Sequence, residues 1–410
     1  MHVASLLPLA GLTLLTAAEV SASRNCHRRN ARHTTSSAHH SALSSISATR
    51  SPMTSAAASK TAVATKKAEE VKLAATSTGS SAKASSTSSH KLLHDYSGDK
   101  FFDSFYINNI SDPTHGLVSY VDDTDAWSRG LVEVTSSNTV KLSIDSSSWL
   151  GSGVGRPSVR VEGNDRFDEG LFIIDLKHVP VGCSLWPAFW LLGDSWPNNG
   201  TRGTPLSSPT HSAQLTIHAG SQIDIFEGVN TADYNTMTLH TAEGCKLDTS
   251  LNYTADGSYS TTDCYAYGSS AGCGLQDHTP SSFGRGFNSA GGGVFATLWS
   301  QTEGIKIWHF PRGEVPSDIG AGSPEPSGWG TPQAAFGSGT CEIPQYFKQM
   351  WMVFDITTCG DWAGDGGVWA DSTTSGTCSQ SYSTCEAAVA DPDNFGEGYF
   401  EINSLKVYSV

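Results

Sequence analysis

Three side chains in one short stretch, Gln222-Ile223-Asp224-Ile225-Phe226-Glu227, have the types and spacing to do chemistry together. A carboxyl group can act as nucleophile, general acid or general base, whereas an amide can only hydrogen-bond. The stretch is half apolar and is bounded by Gly220-Ser221 and Gly228, so it reads as a buried strand. Residues i and i+2 of a strand share a face. Gln222 and Asp224 therefore point one way, above Ile223 and Ile225. Glu227 is one residue out of phase. A single β-bulge at Ile225-Phe226 returns it to the polar face, and bulges recur beside active sites. The expected product is a row of three polar side chains over an apolar layer.

The elements that must hold this strand are also strands. Short runs recur with turn signals between them: Val140–Ile144, Ser158–Val161, Gly170–Asp175, Val294–Trp299, Ile305–Phe310, Trp351–Ile356 and Phe400–Tyr408. Many short strands with Gly-rich turns, and no extended helical periodicity, predict an all-β fold of sandwich or jelly-roll type. In Phe400–Tyr408 the apolar parity switches between Ile402 and Leu405, which predicts a second bulge.

Composition confines the folded part to residues 93–410. At 410 residues two or three domains are the first expectation. Yet all 16 Phe, 11 Trp and 12 Tyr residues lie from Tyr96 onward, so the first quarter has no core of its own. Residues 1–22 read as a secretory signal, with an apolar run Leu6–Ala18 and small residues Val20-Ser21-Ala22 for cleavage; an uncleaved anchor is the alternative. Residues 23–92 read as a disordered Ser/Thr/Ala-rich linker. Of the 56 residues from 34 to 89, 25 are Ser or Thr, too few apolar groups to offset the entropy of ordering them. Such a segment in a secreted chain reads as an O-glycosylated stalk.

Charge divides at the same boundary: the linker carries a net +9 and residues 93–410 a net −23. An acidic domain repels phosphate backbones, which argues against nucleic acid as a partner. The basic linker reads as a solvated spacer; contact with an anionic wall polymer or membrane surface is the alternative. Of nine cysteines, eight (Cys183, Cys245, Cys264, Cys273, Cys341, Cys359, Cys378, Cys385) lie in the domain and one, Cys26, in the linker. Behind a signal peptide these read as disulfides, with 105 pairings open for the eight. No paired C-x-x-C spacing points to zinc.

Gln222-x-Asp224-x-x-Glu227, followed by Gly228-Val229-Asn230, resembles the catalytic strand of glycoside hydrolase family 16, the fungal laminarinase-like endo-1,3(4)-β-glucanases. The family pattern has Glu where this chain has Gln222. The likeness extends to Phe101–Phe105, Gly116–Tyr120, Trp186-Pro187-Ala188-Phe189-Trp190-Leu191-Leu192-Gly193, Met237–Cys245, Gly291–Trp299, Ile305–Arg312 and Phe354–Gly364. It implies a β-jelly-roll sandwich of two curved antiparallel sheets and a retaining double displacement on internal β-1,3 or β-1,3-1,4 glucosidic bonds. It also implies a secreted or cell-wall-associated monomer whose partner is a β-glucan polysaccharide, with no protein partner and no cofactor; a structural calcium ion stays open.

By the same resemblance Gln222 stands at the nucleophile position, Asp224 holds and tunes that position, and Glu227 is the acid/base. A raised Glu227 pKa is expected from burial and neighbouring negative charge. Candidate substrate contacts are Trp186, Trp190, Trp196, His240 and Trp308, because aromatic rings offer flat faces to sugar C–H groups. Trp190, inside an apolar run, reads first as core; Trp196, beside Pro197-Asn198-Asn199-Gly200, reads as exposed loop. His240 is expected near Glu227, as its orienter or as a sugar ligand. Leu298 replaces a polar residue of relatives and is expected to weaken one substrate contact. Two readings besides hydrolysis remain: a non-catalytic glucan-binding pseudoenzyme, and a cell-wall transglycosylase. Residues 201–220 form an atypical insertion before the catalytic strand, read either as a functional or disordered loop or as a short translated intron. Sequons stand at Asn109, Asn252 and, next to the insertion, Asn199.

Overall fold

A computed structural model describes residues 89–194, 220–255, 261–266, 272–371, 373 and 376–410. The expected signal segment, the linker up to residue 88 with Cys26, Trp196, the Asn199 sequon and residues 201–219 lie outside the described residues.

Seventeen strands run in chain order among the described residues: β1 (Leu92–Asp95), β2 (Phe105–Ile107), β3 (Val118–Tyr120), β4 (Val132–Val134), β5 (Val140–Ser143), β6 (Arg156–Ser158), β7 (Arg160–Gly163), β8 (Gly170–His178), β9 (Leu185–Leu192), β10 (Gln222–Glu227), β11 (Asn235–His240), β12 (Cys273–Asp277), β13 (Gly293–Ser300), β14 (Gly304–Pro311), β15 (Ala334–Phe336), β16 (Trp351–Thr358) and β17 (Tyr399–Tyr408). One sheet has the order β15-β14-β13-β8-β17-β5-β4, with β1 also on β17; the other has the order β12-β11-β10-β9-β16-β7-β2. Neighbours in both are antiparallel, and only the small β3–β6 pair is parallel. The all-β jelly-roll sandwich expected from the strand pattern is the fold observed.

The core between the sheets follows from alternation. Phe189 and Leu191 of β9, Met352, Phe354 and Ile356 of β16, and Phe295 and Trp299 of β13 all turn into it and are almost completely buried. Phe226 joins them, with its ring 5.0 Å from Phe283, 5.6 Å from Phe295 and 5.7 Å from Phe400. Burying such rings is worth roughly 1.5–3 kcal/mol each, and this is the main term fixing β10. The bulge expected in β17 is present: its register against β8 shifts at Ile402.

All eight domain cysteines pair, as Cys183–Cys378, Cys245–Cys341, Cys264–Cys273 and Cys359–Cys385. The first and last tie residues 378–385 to the strand ends near β9 and β16. The second and third fasten the segment following β11. Gly228 and Asn230, just past β10, are fixed by their surroundings. A Cβ on Gly228 would lie 2.6 Å from the Phe283 ring. Asn230 adopts φ 56°, a left-handed conformation that Asn tolerates better than most residues. Its side chain accepts from Ser184 N–H (2.8 Å) and donates to the Ala363 carbonyl (3.1 Å). The turn after β10 is thereby joined to the segment that carries Trp362.

Candidate active site

The polar row expected on β10 forms on the face of the seven-stranded sheet turned away from the core. Against β9, Gln222 stands opposite Leu192, Asp224 opposite Trp190, and Glu227 opposite Ala188, with a register shift between Asp224 and Phe226. Ile225 and Phe226 both enter the core, at 1 % and 0 % exposed. That is the bulge at Ile225-Phe226, and it brings Gln222, Asp224 and Glu227 onto one face.

Cross-strand register extends this face into rows. One runs Arg160, Asp355, Ala188, Glu227; the next runs Glu162, Val353, Trp190, Asp224, Thr238; a third runs Trp351, Leu192, Gln222, His240. Each row crosses the sheet through positions that alternate with core residues.

Glu227 accepts a hydrogen bond from Trp186 Nε1 at 2.8 Å. The Trp186 ring meets Trp362 edge-on, with centroids 5.5 Å apart, and stays partly exposed. Burial, then the charge of Asp224, push the Glu227 carboxyl well above its usual value; Asp355 adds to this and the Trp186 bond opposes it. A carboxyl raised in this way favours its protonated form, the form a general acid needs.

His240 stands opposite Gln222, and its Nε2 lies 3.2 Å from Asp224 Oδ2. The backbone N–H of Glu227 goes to Asn235 Oδ1 at 2.9 Å.

Trp190 lies on the site face and not in the inter-sheet core. It packs with Ala188, Leu192 and Val353, is 5 % exposed, and has the Arg160 guanidinium over its ring at 5.1 Å. It stands beside Asp224 across the β9–β10 ladder. Trp308 is not brought to the site. It lies on the outer face of the eight-stranded sheet, buried with Leu171, Ile173 and Val294, and its Nε1 donates to the Gly330 carbonyl at 3.2 Å. Leu298 is in the same outer cluster, so it touches no group of the site. Both residues alternate with core residues on β13 and β14, and sequence parity alone does not say which outer face is a cleft.

Two buried groups on the site face had no distinguishing motif in the sequence. Asp355 pairs with Arg160 Nη1 at 3.0 Å, and burial, aided by the charge of Asp112, pushes its carboxyl up to about 7 despite Arg160. Glu162 accepts from Arg160 (2.6 Å), Trp351 (2.9 Å), Tyr106 (2.9 Å) and Asn108 (3.0 Å). Burial opposes ionisation there, but Arg160 and those hydrogen bonds hold the carboxyl below its usual value. In Trp351–Thr358 the available signal for Asp355 was its alternation, with Thr357, against Met352, Phe354 and Ile356. Among the described residues no cluster of three or more His, Cys, Asp or Glu side chains is placed to hold a metal, so the calcium left open by the resemblance finds no side-chain cage there.

The chain matches the model of the XgeA-like catalytic GH16 domain over residues 104–203 and 210–408, with the break falling inside the 201–220 insertion. A probable endo-1,3(4)-β-glucanase of Aspergillus niger is 39 % identical over 330 residues, 79 % of this chain; the chain spans only 40 % of that relative's length. Solved structures that are similar include the following two. An elongating GH family 16 β-1,3-glucosyltransferase is 39 % identical, with TM-score 0.66 over 78 % of this chain and 100 % of that one. Laminarinase 16A of Phanerochaete chrysosporium, solved with 6-O-glucosyl-laminaritriose in donor and acceptor sites, is 33 % identical, with TM-score 0.67 over 78 % and 99 %. With the family model matched from Ser104 to Tyr408, and the site strand, bulge and sandwich all in place, this chain belongs to glycoside hydrolase family 16.

Proposed function

We propose that the chain is a secreted endo-β-glucanase of the β-1,3 or mixed-linkage type, in which Gln222 has removed the nucleophile and strongly impaired turnover. One observation carries this reading: Gln222, Asp224 and Glu227 share one face, and Glu227, its carboxyl pushed up by burial and by Asp224, accepts a hydrogen bond from Trp186.

In a retaining double displacement, one carboxylate attacks the anomeric carbon while a carboxylic acid protonates the departing glycosidic oxygen. The second residue then deprotonates the water that releases the sugar. Glu227 supplies the acid and base roles. Asp224, paired with His240 and adjacent to Gln222 on the site face, would orient and tune a carboxylate at position 222. Gln222 can hydrogen-bond a sugar but is a poor nucleophile. Losing about four powers of ten in rate corresponds to roughly 5 kcal/mol of transition-state stabilisation.

Trp186, with its partly exposed ring beside Trp362, is the favoured sugar platform; Trp190, buried beside Asp224, packs the site face. The sequons Asn109 and Asn252 are exposed, in keeping with a secreted glycoprotein. Two further readings have their own support. Retention of the face without a nucleophile favours a glucan-binding protein. The likeness to an elongating β-1,3-glucosyltransferase favours transfer to a sugar instead of water.

The test is digestion of laminarin and lichenan by the chain as written and by Gln222→Glu, following reducing ends and product length. Shortening of glucan by Gln222→Glu alone is expected. Products longer than the substrate identify a transferase. Binding with no turnover by either protein identifies a glucan-binding protein.

A further inference from the structure

A β-bulge leaves backbone donors and acceptors without their ladder partners, and each buried one left unmade costs about 1–3 kcal/mol. On its β9 side, β10 resumes pairing at Phe226. On its β11 side the paired register ends at Asp224 opposite Thr238. Beyond that point one side chain takes over. Asn235, 0 % exposed at the start of β11, accepts from the Glu227 N–H at 2.9 Å and donates through Nδ2 to the Ile225 carbonyl at 3.0 Å. It therefore grips both ends of the bulge, one residue on each side of Phe226.

Asn235 is held in turn. Its own N–H donates to Ser282 Oγ at 3.1 Å, and the Ser282 hydroxyl donates to the Asp277 carbonyl at 2.5 Å. Ser282 is 0 % and Asp277 3 % exposed. The Asp277 carboxylate lies 3.2 Å from His309 Nδ1, on the core face of the opposite sheet. A buried chain of partners thus runs from the backbone of Glu227 across the sandwich.

At neutral pH, where a carboxyl is ionised, only an amide of this length satisfies both contacts at once. A serine is too short, and an ionised aspartate cannot donate to Ile225. Without the bulge, strand parity turns Glu227 into the core and away from Asp224. We propose that Asn235 is a positioning residue that fixes the phase of Glu227 relative to Gln222 and Asp224, and with it the placement of the proton donor. This rests on the glucanase reading above for its rate readout, but not for its geometric one.

The test uses the full chain in two forms. In Gln222→Glu, Asn235→Ala is expected to lower kcat on laminarin about 10- to 100-fold with KM changed less than threefold, the effect of a misplaced catalytic group. Asn235→Asp is expected to show the same loss at neutral pH. It should recover toward acid pH, where a protonated carboxyl can again donate to Ile225 and accept from Glu227. An unchanged kcat in Asn235→Ala, or an Asn235→Asp deficit equal at every pH, overturns the proposal.

In the chain as written, the second readout is the Trp186 indole N–H resonance, assigned by its loss in Trp186→Phe. It should move in Asn235→Ala as the bond to Glu227 is lost, and an unmoved resonance overturns the proposal without reference to turnover. If Gln222→Glu proves inactive, the glucanase reading fails while this resonance still decides the role of Asn235. If Asn235→Ala does not fold, the nearly isosteric Asn235→Asp carries both readouts.

Discussion

The two sheets of the sandwich share one core but use their outer faces in opposite ways. The outer face of the seven-stranded sheet carries Arg160, Glu162, Asp224, Glu227 and Asp355, with Trp186 partly exposed above them. The outer face of the eight-stranded sheet carries Leu171, Ile173, Val294, Ala296, Leu298, Trp308 and Tyr408, covered by Val315, Ile319 and Trp329. That cover is pinned by Asp318, whose Oδ2 accepts from Trp329 Nε1 at 2.8 Å and from Glu325 N–H at 2.7 Å. One sheet thus has a second small core where the other has a face of ionisable groups. Ionisable groups on a sheet face are retained where they serve chemistry or are paired; an apolar face needs a lid.

The sharpest break of this contrast is to remove the proton donor. In Gln222→Glu, Glu227→Gln should cut laminarin hydrolysis by at least about a thousandfold, as expected for loss of a general acid on a poor leaving group. The same substitution should raise stability at neutral pH. Glu227 has a folded pKa above its unfolded value, so the folded state binds more protons in the interval between them. Stability therefore falls as pH rises from the unfolded pKa through the folded one. The Gln variant escapes that loss, so its melting temperature should exceed the parent's near pH 8 and equal it near pH 4.

On the other sheet the signs reverse. Trp308→Ala should cost about 3–5 kcal/mol in denaturant unfolding, typical for a buried Trp, yet leave the KM and kcat of Gln222→Glu within about twofold. A large fall in activity at unchanged stability would return Trp308 to the list of substrate contacts. Trp186→Phe should have a smaller, directional effect. It removes the hydrogen bond that opposes the raised pKa of Glu227, so the alkaline limb of the pH–rate profile should move upward. The mildest expected change is Leu298→Thr, which should lower stability by about 1–2 kcal/mol for an unpaired buried hydroxyl and leave turnover unaltered.

Much of this was legible in the chain. The phase error of Glu227 against Gln222 and Asp224 demanded a bulge, and the parity switch between Ile402 and Leu405 demanded another; both are present. What parity could not supply was the identity of the outer faces. Trp190 and Trp308 each alternate with core residues, and only the sheet order puts one beside Asp224 and the other against Trp329. His240 was expected beside Glu227. Cross-strand register sets it opposite Gln222 and within reach of Asp224, a contact that spacing alone did not specify. Asn235 and Ser282 carried no motif at all, because their partners are backbone groups created by the bulge itself. For residues 201–220, sequencing the transcript separates a true loop from a translated intron.

Position 222 is the centre of the account, and a covalent trap tests it most directly. Gln222→Glu and the chain as written would each be incubated with a 2-deoxy-2-fluoro-laminaribiosyl fluoride and weighed by mass spectrometry, followed by peptide mapping. A nucleophilic carboxylate captures the fluorosugar and releases it slowly. The expected result is one adduct, on Gln222→Glu alone, in the peptide that contains residue 222. An adduct on the chain as written, or on a different carboxylate of Gln222→Glu, would contradict the assignment of this strand.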